Sequence, residues 1–221
     1  MEKSIETIWK QGFISPESLI APELNNLYNK KSIHLIDKFK RMFKINLKAI
    51  FIGAFLFLAA SFVVGIPYMG VGFFITSIGI ALVNKKLFKS LGNVSKSDDS
   101  YTYLKTFDHW MKEQVHINKI LARCYYPLFF LSTVIGFWNF KHGKQLLGQT
   151  LISKIMQFNP ETILVFDIPL IIILGISLAS IVFAVLGGKI YYWDIKLVYG
   201  CVFNKLDEII EDMETLKRKV N

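Results

Sequence analysis

Cysteine is nearly absent: Cys124 and Cys201 are the only two in 221 residues. Two thiols this far apart make neither a metal framework nor a disulfide scaffold. Histidine is scarce, with four. Charge is thin as well, at 19% Asp, Glu, Lys and Arg against about 25% in a typical soluble domain. Residues 170–186 carry none of it. The chain has no Gly-rich phosphate loop, no Gly-x-Ser-x-Gly, no His-Glu-x-x-His and no paired carboxylates inside an apolar run. The sequence signatures of nucleotide, ester and zinc-peptidase chemistry are therefore missing, and a soluble enzyme is not expected. The opening residues lack the short apolar run and small-residue site of a cleaved signal peptide, so the first hydrophobic span is expected to be the anchor itself.

What the chain does have is apolar length. Hydrophobic residues make up 52% and fall in blocks long enough to cross a bilayer, for which about 20 residues suffice. Four spans are expected, at 47–66, 68–84, 122–140 and 168–188, with Pro67 turning the first back into the second. The predicted fold is all-α: a four-span membrane protein with helical parts outside the bilayer. Its divisions are an N-terminal segment 1–46, a transmembrane hairpin 47–84, a central segment 85–121, spans three and four at 122–188 around an outer loop 141–162, and a C-terminal helix 189–221. A two-span reading with two buried helices fails on the uncharged stretch 170–186.

Charge placement sets the orientation. Of 26 Lys and Arg, all but Lys141, Lys144 and Lys154 lie before the first span, in the central segment or at Arg123 just past it, in the tail, or at Lys48 on that side. Short cytoplasmic loops hold the excess of basic residues, so both termini and the central segment are expected in the cytoplasm. The net charge of +9 then reads as attraction to anionic lipid headgroups. No basic-aromatic nucleic-acid motif competes with that reading.

The parts outside the spans are patterned. Ser15-Pro16-Glu17 is a helix start, and Ala21-Pro22-Glu23 reads as a restart. From Ser32 onward, Ile33, Ile36, Phe39 and Phe43 recur at helical spacing among Lys38, Lys40, Arg41 and Lys44. That is a basic amphipathic helix, expected to lie on the membrane surface, with a docking face for a cytosolic protein as the alternative. Upstream, Ile5, Ile8, Trp9, Phe13 and Ile14 form an apolar group on a segment with no core of its own. Such a group is expected either to dock a cytosolic partner or to pack on the same chain. The turn-rich stretch 92–100 leads into a helix carrying Leu104, Phe107, Met111 and Val115 on one side. In the tail, Ile195, Tyr199, Val202, Leu206, Ile209, Met213, Leu216 and Val220 alternate steps of four and three, an a/d seam. Its partner is either the helix at 100–121 or the tail of a second chain.

Chemistry-bearing residues are few. His109, Glu113 and His116 share one helical face and are the one candidate metal site, although their spacing is no zincin motif and a solvated face is the expected reading. No cofactor is expected. Asp167, before Ile168-Pro169, reads as a helix cap. Gly175, Ala179, Ser180, Ala184 and Gly188 form a small-residue stripe suited to close helix packing within one chain or between copies.

Ile8-Trp9-Lys10-Gln11-Gly12-Phe13, the Ala21-Pro22 pair and 36–43, placed before four spans, resemble bacterial inner-membrane regulators of the anti-sigma type. That resemblance implies a non-enzymatic anchoring role in which the N-terminal segment holds an extracytoplasmic-function sigma factor. The His-x3-Cys-x2-Cys zinc motif of many anti-sigma domains is missing here, so no residue roles are carried over. The alternatives are a homo-oligomeric channel or membrane-perturbing effector, suggested by the small-residue stripe and the seam, and a metal-dependent membrane enzyme using His109, Glu113 and His116.

The orientation is testable by labelling. With Cys124 and Cys201 replaced by serine, Gln157→Cys should react with an impermeant maleimide on intact cells, and Asp212→Cys only after lysis. The opposite pattern would invert the topology.

Overall fold

A computed structural model describes residues 16–91, 100–142 and 145–220. Among the described residues the chain is helical apart from two tiny hairpins. Its elements are α1 (Pro16–Val64), α2 (Pro67–Ser90), α3 (Ser100–Trp138), β1 (Lys141–His142), β2 (Gln145–Leu146), α4 (Leu147–Phe158), β3 (Leu164–Val165), β4 (Ile168–Pro169) and α5 (Leu170–Val220). Helices α1, α2, α3 and α5 are each long and apolar enough to cross a membrane.

Length decides the architecture. At about 1.5 Å per residue, the 24 residues of α2 reach little farther than a bilayer core of about 30 Å. The 49 residues of α1, 39 of α3 and 51 of α5 overrun it by many turns. The apolar portions, 49–64, 67–84, 122–138 and 170–188, expose large side chains such as Leu56, Val63, Ile75, Leu178 and Val185, the outward-facing pattern of a lipid-contacting surface.

The three long helices overrun at one end and pack there into an extramembrane bundle. Its core holds Leu35, Ile36 and Phe39 from α1, Leu104, Phe107, Trp110 and Met111 from α3, and Tyr199, Val202, Leu206 and Ile209 from α5. Phe39 lies at the junction: its ring centroid is 5.3 Å from Phe107, 6.0 Å from Trp110 and 5.3 Å from Tyr199. Helix α2 ends against this core, where Leu91 is buried and the Trp110 indole N–H donates to Ser90 Oγ at 2.9 Å. The seam of the tail is thus used inside the chain through Val202, Leu206 and Ile209, with Met213 packed beside them. The side chains of Leu216 and Val220 lie outside the described residues.

The basic amphipathic helix differs from its expected placement. It is no separate element on a membrane surface but the middle of α1, in line with the first span. Its apolar face is taken up by α3 and α5, with Ile36 and Phe39 buried. Lys38, Arg41 and Lys44 stay exposed and Lys40 is partly covered. Nor does Pro22 restart the chain. It costs α1 the backbone bond to the Ser18 carbonyl, yet the helix runs through it.

At the far end, α1 stops on Gly65, whose φ of +86° is the left-handed conformation that glycine supplies at a helix end. The Ser61 carbonyl accepts from the amides of Gly65 at 3.1 Å and Ile66 at 2.9 Å, and Pro67 opens α2. Just inside the turn, a Cβ on Gly70 would run into the Ser61 side chain, so that glycine sets how closely α1 and α2 cross.

The outer connection holds structure that its composition does not announce. Helix α4 lies between the two hairpins. In the second hairpin Leu164 pairs with Pro169 and Val165 with Ile168. Phe166 and Asp167 form its tip at φ 52° and 61°, as a tight two-residue hairpin turn demands. Asp167 is therefore an exposed turn residue and not the cap expected from sequence; α5 begins only at Leu170.

Since Phe107 is fully buried among three helices, Phe107→Ala should cost about 3–5 kcal/mol in a reversible unfolding titration in mixed micelles. Phe62→Ala, on the exposed apolar surface, should change the midpoint far less.

Candidate functional site: a polar-mouthed cavity between four helices

A cavity of about 470 Å³ opens where the spans give way to the bundle. Each of the four long helices contributes one carboxamide or carboxylate to its lining: Asn46 from α1, Asn84 from α2, Asn118 from α3 and Asp194 from α5. Apart from Ser77, the remaining walls are apolar and aromatic, with Phe57 and Phe73 on the side of the spans and Tyr125, Tyr126, Tyr191 and Tyr199 around the polar groups. Among the described residues, no Lys or Arg lines the cavity.

The polar groups are tied mainly to their own helices. The Asn84 Nδ2 donates to the Ile80 carbonyl at 3.0 Å and the Asn118 Nδ2 to the Gln114 carbonyl at 3.0 Å. One amide hydrogen of each is committed in this way, which leaves each carboxamide a second N–H donor as well as its acceptor oxygen. Asn46 reaches across instead, donating to the Tyr199 hydroxyl at 3.3 Å. This bond links the start of the first span to the seam of the tail. Burial raises the Tyr199 phenol above its ordinary value; the Asn46 hydrogen bond works the other way, and the Asp194 charge adds to the rise.

The residues expected to carry function from sequence are elsewhere. Ile5, Ile8, Trp9, Phe13 and Ile14 lie outside the described residues. His109, Glu113 and His116 are all exposed on α3, and among the described residues no three His, Cys, Asp or Glu side chains come together as a metal site. The small-residue stripe is divided. Gly188, with its neighbour Gly187, packs closely on Lys119 and Ala122 of α3, whereas Gly175 faces open space. Cys124 and Cys201 are free and exposed.

None of the four cavity groups attracted notice in the sequence, where a lone Asn or Asp carries no motif. A usable signal was present all the same. Asn46 and Asn84 flank spans one and two, Asn118 precedes span three by one turn, and Asp194 follows span four by under two turns. Antiparallel threading puts all four at one depth. No protein-family model, curated protein or solved structure matches the chain, so the geometry stands alone.

The Tyr199–Asn46 bond should contribute modestly, with Tyr199→Phe costing about 0.5–1.5 kcal/mol. A phenol whose folded value lies above its unfolded one contributes stability that is whole below the unfolded value and lost as pH rises through the folded value. The unfolding midpoints of wild type and Tyr199→Phe should therefore keep a constant gap below pH 10 and change relation above it. A gap that varies between pH 6 and 9 would contradict this assignment.

Proposed function

We propose that this polytopic membrane protein is a non-enzymatic anchor and regulator of the bacterial inner membrane, with both termini and the helical bundle in the cytoplasm. Its N-terminal segment holds a cytosolic partner, a sigma factor of the extracytoplasmic-function class. The observation that carries the reading is the continuity of α1 from Pro16 to Val64. In sequence, residues 1–15 immediately precede a helix that passes through the bundle core and then the first span. A partner held by Ile8 and Trp9 would be coupled mechanically to both. The basic bias of the bundle side supports the cytoplasmic placement, and Lys38, Arg41 and Lys44, exposed beside the first span, suit contact with anionic headgroups.

Part of the small-residue stripe is engaged by α3, and the seam by α1 and α3. The two features that suggested a homo-oligomeric channel thus have uses within one chain, which favours the anchoring reading.

Affinity purification from the native host in mild detergent, with the mass of the intact complex, tests it. A stoichiometric sigma factor lost in the Ile8→Asp/Trp9→Asp double variant is the expected result. A partner set unchanged by that variant, or a homo-oligomer with no partner, would refute the docking role.

A further inference from the structure

The cavity between the four helices has the makings of a ligand site that the anchoring role does not require. Its volume of about 470 Å³ falls in the range of roughly 300–1,000 Å³ typical of small-molecule pockets, and its mix of apolar walls with a few convergent polar groups is also typical. Charge narrows the ligand class. Asp194 is the one carboxylate in the lining, and among the described residues no Lys or Arg lies there beside it. Asn46 bonds to Tyr199, and Asn84 and Asn118 to their own backbones, and each of the two latter amides keeps an acceptor oxygen and one further N–H. An anion would meet the Asp194 carboxylate with no basic lining residue to offset it, whereas a cation finds the carboxylate favourable and can also take amide oxygens as acceptors.

The walls narrow it further. Tyr125, Tyr126, Tyr191 and Tyr199 stand around the same space as Asp194, and the Asp194 charge acts on the Tyr199 phenol. Aromatic faces attract a desolvated cation through their quadrupoles and favour organic ammonium groups in particular. A strongly hydrated metal ion would need more oxygen ligands than one carboxylate and two amides provide. Toward the spans the lining turns to Phe57, Phe73 and Ile50, which suits an apolar substituent.

The geometry points to a binding site for an organic ammonium ion with an apolar substituent, its cationic head between Asp194 and the tyrosines and its apolar part directed toward the spans. Such a group comes either from a soluble amphipathic amine or from the amine headgroup of a lipid. The site is independent of the N-terminal docking segment, so failure of either proposal leaves the other standing.

Equilibrium binding of radiolabelled benzyltrimethylammonium to the full chain in dodecyl maltoside tests it. The expected result is saturable binding of one cation per chain, not displaced by benzenesulfonate. Asp194→Asn should weaken it at least tenfold, while Asp194→Glu, which keeps the charge, stays within a few-fold. Adding phosphatidylethanolamine separates the sources: competition assigns the site to a lipid headgroup, and its absence to a soluble amine. Asp194 is exposed at the cavity mouth, and matching unfolding midpoints for the three proteins confirm that binding and not folding is being read. No saturable binding by the wild type, equal binding by Asp194→Asn, or displacement by the sulfonate would overturn the proposal.

Discussion

Three helices that leave a bilayer side by side carry apolar stripes into water, and here the stripes are buried because they meet around Phe39. Its ring contacts rings from both α3 and α5, in edge-on and tilted arrangements of the kind aromatic pairs favour. Outside the membrane the hydrophobic effect is fully available to drive this contact, whereas between the spans lipid is as apolar as the side chains and close packing must serve instead. The two halves of the molecule are accordingly built differently. The bundle is rich in buried large side chains, while the spans combine close small-residue contacts, Gly70 on Ser61 and Gly187 on Ala122, with ring contacts such as Phe57 on Phe73 and Phe73 on Phe129.

The cavity follows from this change of regime. Near the membrane boundary the helices are held on one side by the bundle core and on the other by contacts among the spans, Phe57 on Phe73 and Phe73 on Phe129, and between those two levels their side chains do not close the space. Polar groups are tolerated there because each has its own outlet. Two asparagines bond to the backbone of their own helices, one to a tyrosine, and Asp194 remains exposed. The Asn46–Tyr199 bond joins the two levels, so a molecule seated between them would bear on the bundle as well as on the spans.

The spans were legible in the sequence because an uncharged run such as 170–186 has no other use, and the seam of the tail because Val202, Leu206 and Ile209 repeat at a helical interval. The partner of the α1 stripe was not. Ile36 and Phe39 flanked by lysines fit a membrane surface as well as a bundle core, and only the overrun of α3 and α5 at the same end decides between them. Asp167-Ile168-Pro169 has the composition of a helix start, yet pairing of 164–165 with 168–169 places Asp167 at a turn. The cavity residues were hidden for a different reason: Asn46, Asn84, Asn118 and Asp194 converge through topology, far apart in sequence and without a motif.

The central claim is that residues of α1, α3 and α5 beyond the membrane form one cooperative core. Amide hydrogen exchange on the full chain in lipid nanodiscs tests this directly, by comparing wild type with Leu206→Ala, which removes a fully buried side chain of α5. If the core is one unit, 32–39, 104–111 and 202–209 are protected in the wild type and lose protection together in the variant. If 32–39 keeps its wild-type exchange while the other two segments open, α1 does not belong to the bundle and the account is wrong.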